Sequence, residues 1–152
     1  MSILPKYQIK LRKNEEKTEV FDLLRKKWLV LTPEEEVRQK MILYLLNEKG
    51  YPAGRLASEY SLKVNELKRR ADIVAFDRFG HPLLIVECKA PKIKITQTVF
   101  DQIARYNLSL RVDYLIVSNG LQNYCCMMDF KLEKYQFLEE IPEYKRISEN
   151  SY

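Results

Sequence analysis

The stretch ADIVAFDRFGHPLLIVECKA, residues 71–90, decides the fold because it contains two apolar runs separated by a turn. The runs at 71–76 and 82–90 carry apolar residues on both faces, which is typical of strands buried on both sides of a sheet. The intervening DRFGH segment contains Gly80 and favours a turn. We therefore predict a central β-hairpin that is covered on each side.

Glu87 and Lys89 stand at the end of the second run, where burying either charge is unfavourable. Side chains two positions apart in a strand point to the same face, so these two project together. If the turn is centred between residues 79 and 80, Asp72 lies directly opposite Glu87, with Cβ atoms about 5 Å apart. Two carboxylates and an ammonium are then expected on one patch. A bulge that slips the register by one residue is the alternative.

This patch has the chemistry of a divalent metal site. Two close carboxylates raise one another's pKa unless a cation is present. Because Mg²⁺ prefers oxygen ligands, Asp72, Glu87 and the backbone carbonyl of Cys88 are the predicted ligands, with Mn²⁺ as the alternative ion. The metal would polarise a phosphodiester, while Lys89 positions the nucleophile or offsets negative charge. The competing interpretation is a buried ion pair between Glu87 and Lys89.

Composition favours an intracellular globular protein. The chain has 152 residues, 46% of them hydrophobic, which is enough for one core and predicts a single domain over 1–152. A net charge of +5 permits anionic partners such as nucleic acid. Three cysteines without a CxxC pair argue against a zinc site, and no apolar segment approaches the length of a membrane span. We expect a cytoplasmic location without membrane contact.

The segment before the central hairpin is predicted to add a hairpin, a helix and a strand. YQIKLRK and TEVFDLL flank a polar NEEK turn and predict a hairpin within residues 1–31. LTPEEEVRQKMILYLLNEKGYP predicts a helix with Thr32 as N-cap and Pro33 at the first position. RLASEYSLKV is consistent with a strand, and NELKRR with a polar connector. The expected buried face of the helix comprises Val37, Met41, Tyr44 and Leu45.

The segment after residue 90 is predicted to return the chain to the sheet. TQTVFDQIARYNLSLR predicts a helix capped by Thr96, with Val99, Ile103, Tyr106 and Leu110 on its apolar face. VDYLIVSNG predicts a buried strand, YCCMMDF the last strand, and FLEEIPEY a short docking segment in the charged tail. This order of elements predicts an α/β domain with a mixed sheet between helices.

RADIVAFDRFGHPLLIVECKAP, followed by FDQIARY, resembles the PD-D/E-x-K nuclease superfamily, and within it the N-terminal nuclease domain of type I restriction enzyme R subunits. The likeness extends from about Thr32 to Gly120. It implies a restriction-endonuclease-like three-layer fold, with a mixed central β-sheet flanked by helices. The core is then expected at 32–130, between an N-terminal β-hairpin extension at 1–31 and a C-terminal tail at 131–152.

The resemblance implies a Mg²⁺-dependent DNA endonuclease domain and assigns roles to its residues. Asp72 and Glu87 would be the metal-binding acids, and Lys89 the catalytic lysine. Gln102 and Tyr106 match the Gln-x-x-x-Tyr element that supports the active site or contacts DNA in related nucleases. Gln102 is also expected on the apolar side of its helix, where an amide needs a partner, and Tyr106 is alternatively a core aromatic. Independently of the resemblance, phosphate contacts are expected from Lys92, Lys94, Arg105 and Arg111.

Two positions match the family less directly. Ala71 stands where the superfamily's name has proline. The family often has a glutamate in the first helix that faces the metal, and Glu35 is the candidate here. The run from Thr32 to Glu35 is also a capping box, in which Glu35 would accept a hydrogen bond from the Thr32 amide. Both roles for Glu35 stay open at this point.

The expected partners follow from what the sequence contains. DNA is the expected substrate, but the chain has no G-x-x-x-x-G-K-[ST] phosphate loop. Any ATP-driven translocation or methylation-sensitive recognition would therefore come from translocase, specificity or methyltransferase subunits on other chains. A homodimer is the other assembly considered. The alternative function is a nucleic-acid-binding module of the same fold that cleaves weakly or not at all within a larger complex.

Overall fold

The computed structural model describes residues 7–149, which form two β-sheets with flanking helices. The smaller sheet consists of β1 (Leu11–Asn14), β2 (Lys17–Asp22) and β3 (Lys27–Val30). The larger sheet consists of β4 (Leu56–Val64), β5 (Leu67–Phe76), β6 (Pro82–Cys88), β7 (Tyr114–Ser118), β8 (Asn123–Asp129) and β9 (Lys134–Leu138). The α-helices are α1 (Pro33–Glu48), α2 (Gln97–Leu108) and α3 (Tyr144–Glu149), and a short 3-10 helix spans Ala53–Arg55. The outermost parts of the predicted extension and tail, 1–6 and 150–152, lie outside the described residues.

The strands of the larger sheet lie in chain order, and only one neighbouring pair is parallel. Strands β6 and β7 run parallel, and the other neighbouring pairs are antiparallel. Parallel neighbours need a long crossover connection, which α2 provides here. The predicted mixed sheet is therefore confirmed. In the part of the chain that the structure describes, no helix has the length and apolarity needed to cross a membrane.

Helices α1 and α2 cover opposite faces of the sheet, as a three-layer fold requires. Alternate residues of a strand point to opposite faces, so β6 contributes to both layers. The first core joins α1 to one face and includes Met41, Leu45, Ile73, Leu84 and Val86. The second core joins α2 to the other face and includes Val74, Ile85, Phe100, Ala104 and Leu115. The predicted α1 face and the Thr32 cap, whose Oγ1 accepts a hydrogen bond from the Glu35 amide, are confirmed.

Helix α2 turns a different face to the sheet than the sequence pattern predicted. The buried residues of this helix are Phe100, Ala104 and Asn107, whereas Tyr106 is 48% exposed. Gln102, expected on the apolar side, is exposed. These three buried residues are spaced so that they lie on one face of the helix. The Phe100 ring on that face packs in the second core. Of the predicted face, Val99 and Ile103 are half-buried and Leu110 is buried beyond the helix end.

The strands also differ from the prediction in three places. The prediction that NELKRR is a connector is wrong, because β5 begins at Leu67 and only a tight turn separates it from β4. Strand β8 is not the last, since β9 pairs with it and includes part of the predicted docking segment. The N-terminal hairpin is confirmed but has a third strand, β3. Strand β3 has only four residues, KWLV, and lacks a polar–apolar alternation, whereas the alternation KYQFL of β9 is a strand signal that was overlooked in the charged tail.

The β4–β5 hairpin bends at Glu59. This residue has a φ of 52°, the left-handed conformation that non-glycine residues rarely adopt inside a strand. Leu56, before the bend, packs in the first core, whereas Leu62, after it, packs in the second core. In the register of the hairpin, Asp72 is the residue opposite Glu59. The same face of the hairpin thus packs in the first core before the bend and in the second core after it, and the change occurs at Glu59 and Asp72.

Candidate active site

The register of the β5–β6 hairpin is the predicted one. Val74 pairs with Ile85, and the same register extended toward the strand ends brings Asp72 level with Glu87. A bulge is present at Ala75 and Phe76, but it lies on the turn side of this pair. The charged residues therefore keep the register that the sequence predicted.

Asp72 replaces part of the backbone ladder between β5 and β6. The amide of Cys88 donates a hydrogen bond of 2.7 Å to Oδ2 of Asp72. On the other side of β6, the amide of Lys89 donates to the carbonyl oxygen of Ser118 at 2.8 Å. The charged end of β6 is thus fixed by a side chain from β5 and by the backbone that ends β7.

Glu87 and Lys89 line one open pocket of about 390 Å³ with residues from α2. Gln102 and Tyr106 line the same pocket, so the Glu-x-Lys and Gln-x-x-x-Tyr elements meet in space. Within residues 7–149, Glu87 and Lys89 form no ion pair, which leaves the competing interpretation of the sequence without support. Arg70, Ile103 and Asn107 complete the pocket lining.

The electrostatics of the pocket disfavour two negative charges. Burial, followed by the nearby charge of Asp72, raises the pKa of Glu87 to about 7, although Lys89 acts in the opposite direction. Burial also raises the pKa of Asp72, opposed mainly by the hydrogen bond from the Cys88 amide and by Arg38. A bound cation would relieve this conflict, because it stabilises both ionised forms.

Arg38 links the first helix to Asp72. Its Nη1 atom lies 2.6 Å from Oε1 of Glu59 and 4.0 Å from Oδ1 of Asp72. Its Nε and Nη2 atoms donate a bidentate pair of hydrogen bonds, 3.0 and 2.7 Å, to Glu35. Burial lowers the pKa of Arg38, but the two glutamates outweigh it and raise the pKa overall. Arg38 is therefore a buried, charged group that neighbours the predicted metal ligand.

The structure corrects the capping role of Glu35, while its role at a metal stays a prediction. Its backbone amide donates a hydrogen bond to Oγ1 of the N-cap Thr32. Its carboxylate accepts hydrogen bonds from Arg38 and Gln39 and none from the Thr32 amide. Only half of the capping box is formed. Glu35 is buried and approaches Asp72 through Arg38, so the structure places it beside the predicted site without a direct contact to Asp72.

The remaining predicted DNA contacts lie outside the pocket. Lys92 and Lys94 are exposed in the loop before α2. Arg105 is exposed and lines a separate cleft with Arg111 and Phe130. Among these predicted contacts, only Tyr106 lines the pocket of Glu87.

Sequence reasoning missed the arginines of this site. Arg38 stands three residues after Glu35, a spacing typical of ion pairs on a helix, and this signal could have indicated it. Arg69 and Arg70 directly precede the Ala71–Asp72 match but were assigned to a connector. No local signal marks Glu59, because its partner Arg38 is 21 residues away in sequence.

The residues of the pocket fit a magnesium site, in which few ligands are side chains, better than a site in which side chains supply every ligand. Among residues 7–149, no three His, Cys, Asp or Glu side chains come close enough together to hold a metal ion. Asp72 and Glu87 provide two carboxylates, and the acceptor oxygens of Glu87 have no hydrogen-bond partner in the described residues. Mg²⁺ is commonly bound by one or two carboxylates, with water and substrate phosphate completing its coordination. The donor set therefore fits this ion.

Comparison with known proteins gives a family and a fold. The family model described as type I restriction enzyme R protein N terminus (HSDR_N) matches residues 33–142. A solved fragment assigned to the HsdR subunit of a type I restriction enzyme from Vibrio vulnificus YJ016 superposes with a TM-score of 0.54 at 19% identity. The match covers 78% of this chain but 25% of that one, so the chain spans about a quarter of its length. No curated protein sequence matches.

Proposed function

The chain belongs to the family of type I restriction enzyme R protein N termini, and from this premise we propose that it is a divalent-metal-dependent DNA endonuclease domain. The proposed reaction is hydrolysis of a phosphodiester bond, with Mg²⁺ or Mn²⁺ as the ion. The proposal covers this domain; translocation and sequence recognition are assigned to other subunits of a restriction complex.

The observation that supports the proposal best is the composition of the pocket. Glu87 and Lys89, side by side at the end of β6, line one pocket with Gln102, and Asp72 lies next to it. Burial and the charge of Asp72 raise the pKa of Glu87, and no protein cation is paired with it in the described residues. Such a carboxylate destabilises the protein unless a ligand uses it, which points to a functional site.

Each residue has a chemical role in the proposed reaction. Asp72 and Glu87 would hold the ion together with the Cys88 carbonyl, and the ion, when bound, would supply Lewis-acid stabilisation of the phosphate. The Cys88 amide orients Asp72 by its hydrogen bond to Oδ2. Lys89 would offset the negative charge that develops on the phosphate or orient the attacking water. Gln102, exposed in the same pocket, can donate an amide hydrogen bond to the substrate.

Cleavage of DNA tests the proposal directly. We would incubate the 152-residue chain with supercoiled plasmid in magnesium, manganese or chelator, beside Glu87→Ala, Lys89→Ala and the control Lys145→Ala. Lys145 is an exposed lysine on α3, outside the pocket, so its replacement removes the same charge as Lys89→Ala at a distant position. We expect metal-dependent nicking that falls by at least about 100-fold in the two pocket variants and not in the control.

The other results have separate meanings. Retention of DNA with no cleavage in any metal would favour the alternative, a binding module within a larger complex. If wild-type protein and all three variants nicked equally, the activity would belong to a contaminant and the assigned site would be wrong. Absence of both binding and cleavage at low salt would reject a role on DNA for this chain.

A further inference from the structure

We propose that Arg70 of β5 is a substrate-binding residue of this pocket and that its neighbour Arg69 is a positioning residue. Arg70 binds a backbone phosphate next to the one that is cleaved, and Arg69, stacked on Tyr106, holds β5 and α2 together across the pocket. This inference rests on the proposed nuclease function and names a residue that would bind its substrate and one that would hold the pocket in place. Neither arginine was among the phosphate contacts predicted from the sequence.

Arg70 is placed to meet a ligand in the pocket. It lines the pocket together with Glu87 and Lys89, and its side chain is 68% exposed. Its ion pair, 3.3 Å between Nη1 and Oε2 of Glu59, is weak because the arginine is exposed and Glu59 already binds Arg38 at 2.6 Å. Several of its guanidinium N–H groups are therefore available, and their planar arrangement matches the oxygens of a phosphate.

Arg69 has a different environment, which ties two elements together. Its guanidinium carbon lies 3.5 Å from the centroid of the Tyr106 ring, a close cation–π stack between β5 and α2. Its Nε atom is buried and has no hydrogen-bond partner among the described residues. A buried donor without an acceptor is unfavourable, so the Tyr106 stack is the contact that stabilises this placement of Arg69.

The charge balance of the pocket requires such residues. A DNA strand that approaches Asp72, Glu87 and Glu59 meets negative charge, which repels its phosphates. Arg70 and Lys89 line the pocket and oppose this repulsion before any metal is bound. Tyr106 is then a residue that positions Arg69, and its exposed ring need not stack on a base.

Salt dependence of DNA binding separates a phosphate contact from a general loss of charge. We would measure the affinity for a short fluorescent DNA duplex by anisotropy, with calcium replacing magnesium to prevent cleavage, over a series of salt concentrations. The variants are Arg70→Gln and a matched control, Arg146→Gln, which removes the same charge from an exposed position outside this pocket. We expect Arg70→Gln to weaken binding on the order of fivefold to tenfold and to reduce the salt slope by about 0.9, the loss of one phosphate contact. The control should keep the wild-type slope.

A second pair of variants tests the stack. Tyr106→Phe keeps the ring under Arg69 and should bind duplex like wild type, whereas Tyr106→Leu should weaken binding and lower the salt slope. Equal losses in both would mean that the Tyr106 hydroxyl matters and would overturn the positioning role. If Arg70→Gln behaves like Arg146→Gln while wild type still cleaves, the arginine inference fails and the proposed function stands. If wild type does not bind the duplex at low salt, both fail.

Discussion

The carboxyl group of Glu87 is where the stability of the fold and the proposed metal binding conflict most directly. Its pKa of about 7 in the folded protein lies above the ordinary value of 4.5, so the fold favours the protonated form. As pH rises from about 4.5 to about 7, the unfolded chain ionises first and the fold loses stability, and the loss is complete above pH 7. We expect Glu87→Gln to raise the free energy of unfolding by on the order of 1 to 3 kcal/mol at about pH 8, and to change it little at about pH 4.

Urea unfolding at the two pH values measures this effect. Glu66→Gln, in the exposed β4–β5 turn, is the control because it removes the same charge outside the pocket. A stabilisation by Glu87→Gln that is equal at both pH values would show that Glu87 is not held at a raised pKa.

Magnesium should stabilise the wild type but not Glu87→Gln. A cation beside Glu87 and Asp72 stabilises their ionised forms, and a ligand that binds only the folded state raises its apparent stability. At about pH 8 we expect magnesium to raise the melting temperature of the wild type and not that of Glu87→Gln. Differential scanning fluorimetry with magnesium or with chelator measures the melting temperatures. An equal shift in melting temperature for both proteins would exclude Glu87 as a ligand.

Arg38 should be essential for stability. Replacing it with leucine leaves Glu35 buried and Glu59 half-buried without the cation that pairs with both. Removing one partner of a buried ion pair typically costs about 3 to 5 kcal/mol, so Arg38→Leu should lower the free energy of unfolding by that order. Arg12→Leu, which breaks the more exposed pair with Glu19, should cost less than about 1 kcal/mol. Equal losses in the two variants would contradict the buried network.

Single residues show where sequence reasoning succeeds. The alignment of Asp72 with Glu87 was predictable because a strand has a period of two and the turn fixes the hairpin register. The contact of Arg38 with Glu59 was not, because it joins a helix to a bent strand, and no local pattern encodes the left-handed conformation of Glu59.

Among the elements, the β7–β8 turn fixes the position of α1. Gly120 has a φ of 87°, and a Cβ atom there would lie 3.3 Å from Cγ2 of Val37 on the helix. Gly120→Ala should therefore strain the backbone and push on α1, with a loss of about 1 to 3 kcal/mol in unfolding free energy. Gly54→Ala is the control, because its φ is not positive and no atom lies within 4 Å of the added Cβ. Chemical denaturation of both variants tests this, and a neutral Gly120→Ala would contradict it.

Elements with strong periodicity or caps were predictable, and marginal ones were not. Helix α1 combined an N-cap, a proline and a buried apolar face, which all indicate the same structure. Helix α2 was located correctly, but the stripe centred on Tyr106 competed with the one containing Phe100, and packing on the sheet selected the second. Strand β9 has a polar–aromatic alternation of only five residues inside a charged tail, and this short signal was overlooked.

At the scale of the whole molecule, Asp22 attaches the small sheet to the large one. It is fully buried, and its carboxylate accepts hydrogen bonds from the Leu24 and Arg25 amides, the Arg25 side chain and the hydroxyl of Ser58 on β4. Asp22→Ala should lower the unfolding free energy by on the order of 3 kcal/mol, because it leaves several buried donors unpaired.

The control for this change is Asp129→Ala. Asp129 also caps a turn through two backbone amides, but it is exposed, and its loss should cost about 1 kcal/mol or less. Thermal unfolding followed by circular dichroism compares the variants. Similar losses in both would mean that the two sheets are only loosely attached, as expected for an added extension.

Parallel pairing of β6 with β7 dictates when the proposed active site takes shape during synthesis. The β5–β6 hairpin is local and can form as soon as both strands have left the ribosome, but its charged end is held by Ser118, which lies 29 residues after Lys89. Ser118 becomes available only after the ribosome has added those 29 residues, which takes on the order of seconds at about 5 to 20 residues per second. A nascent chain therefore carries Asp72, Glu87 and Lys89 for some time before the backbone contact to Ser118 can fix the end of β6.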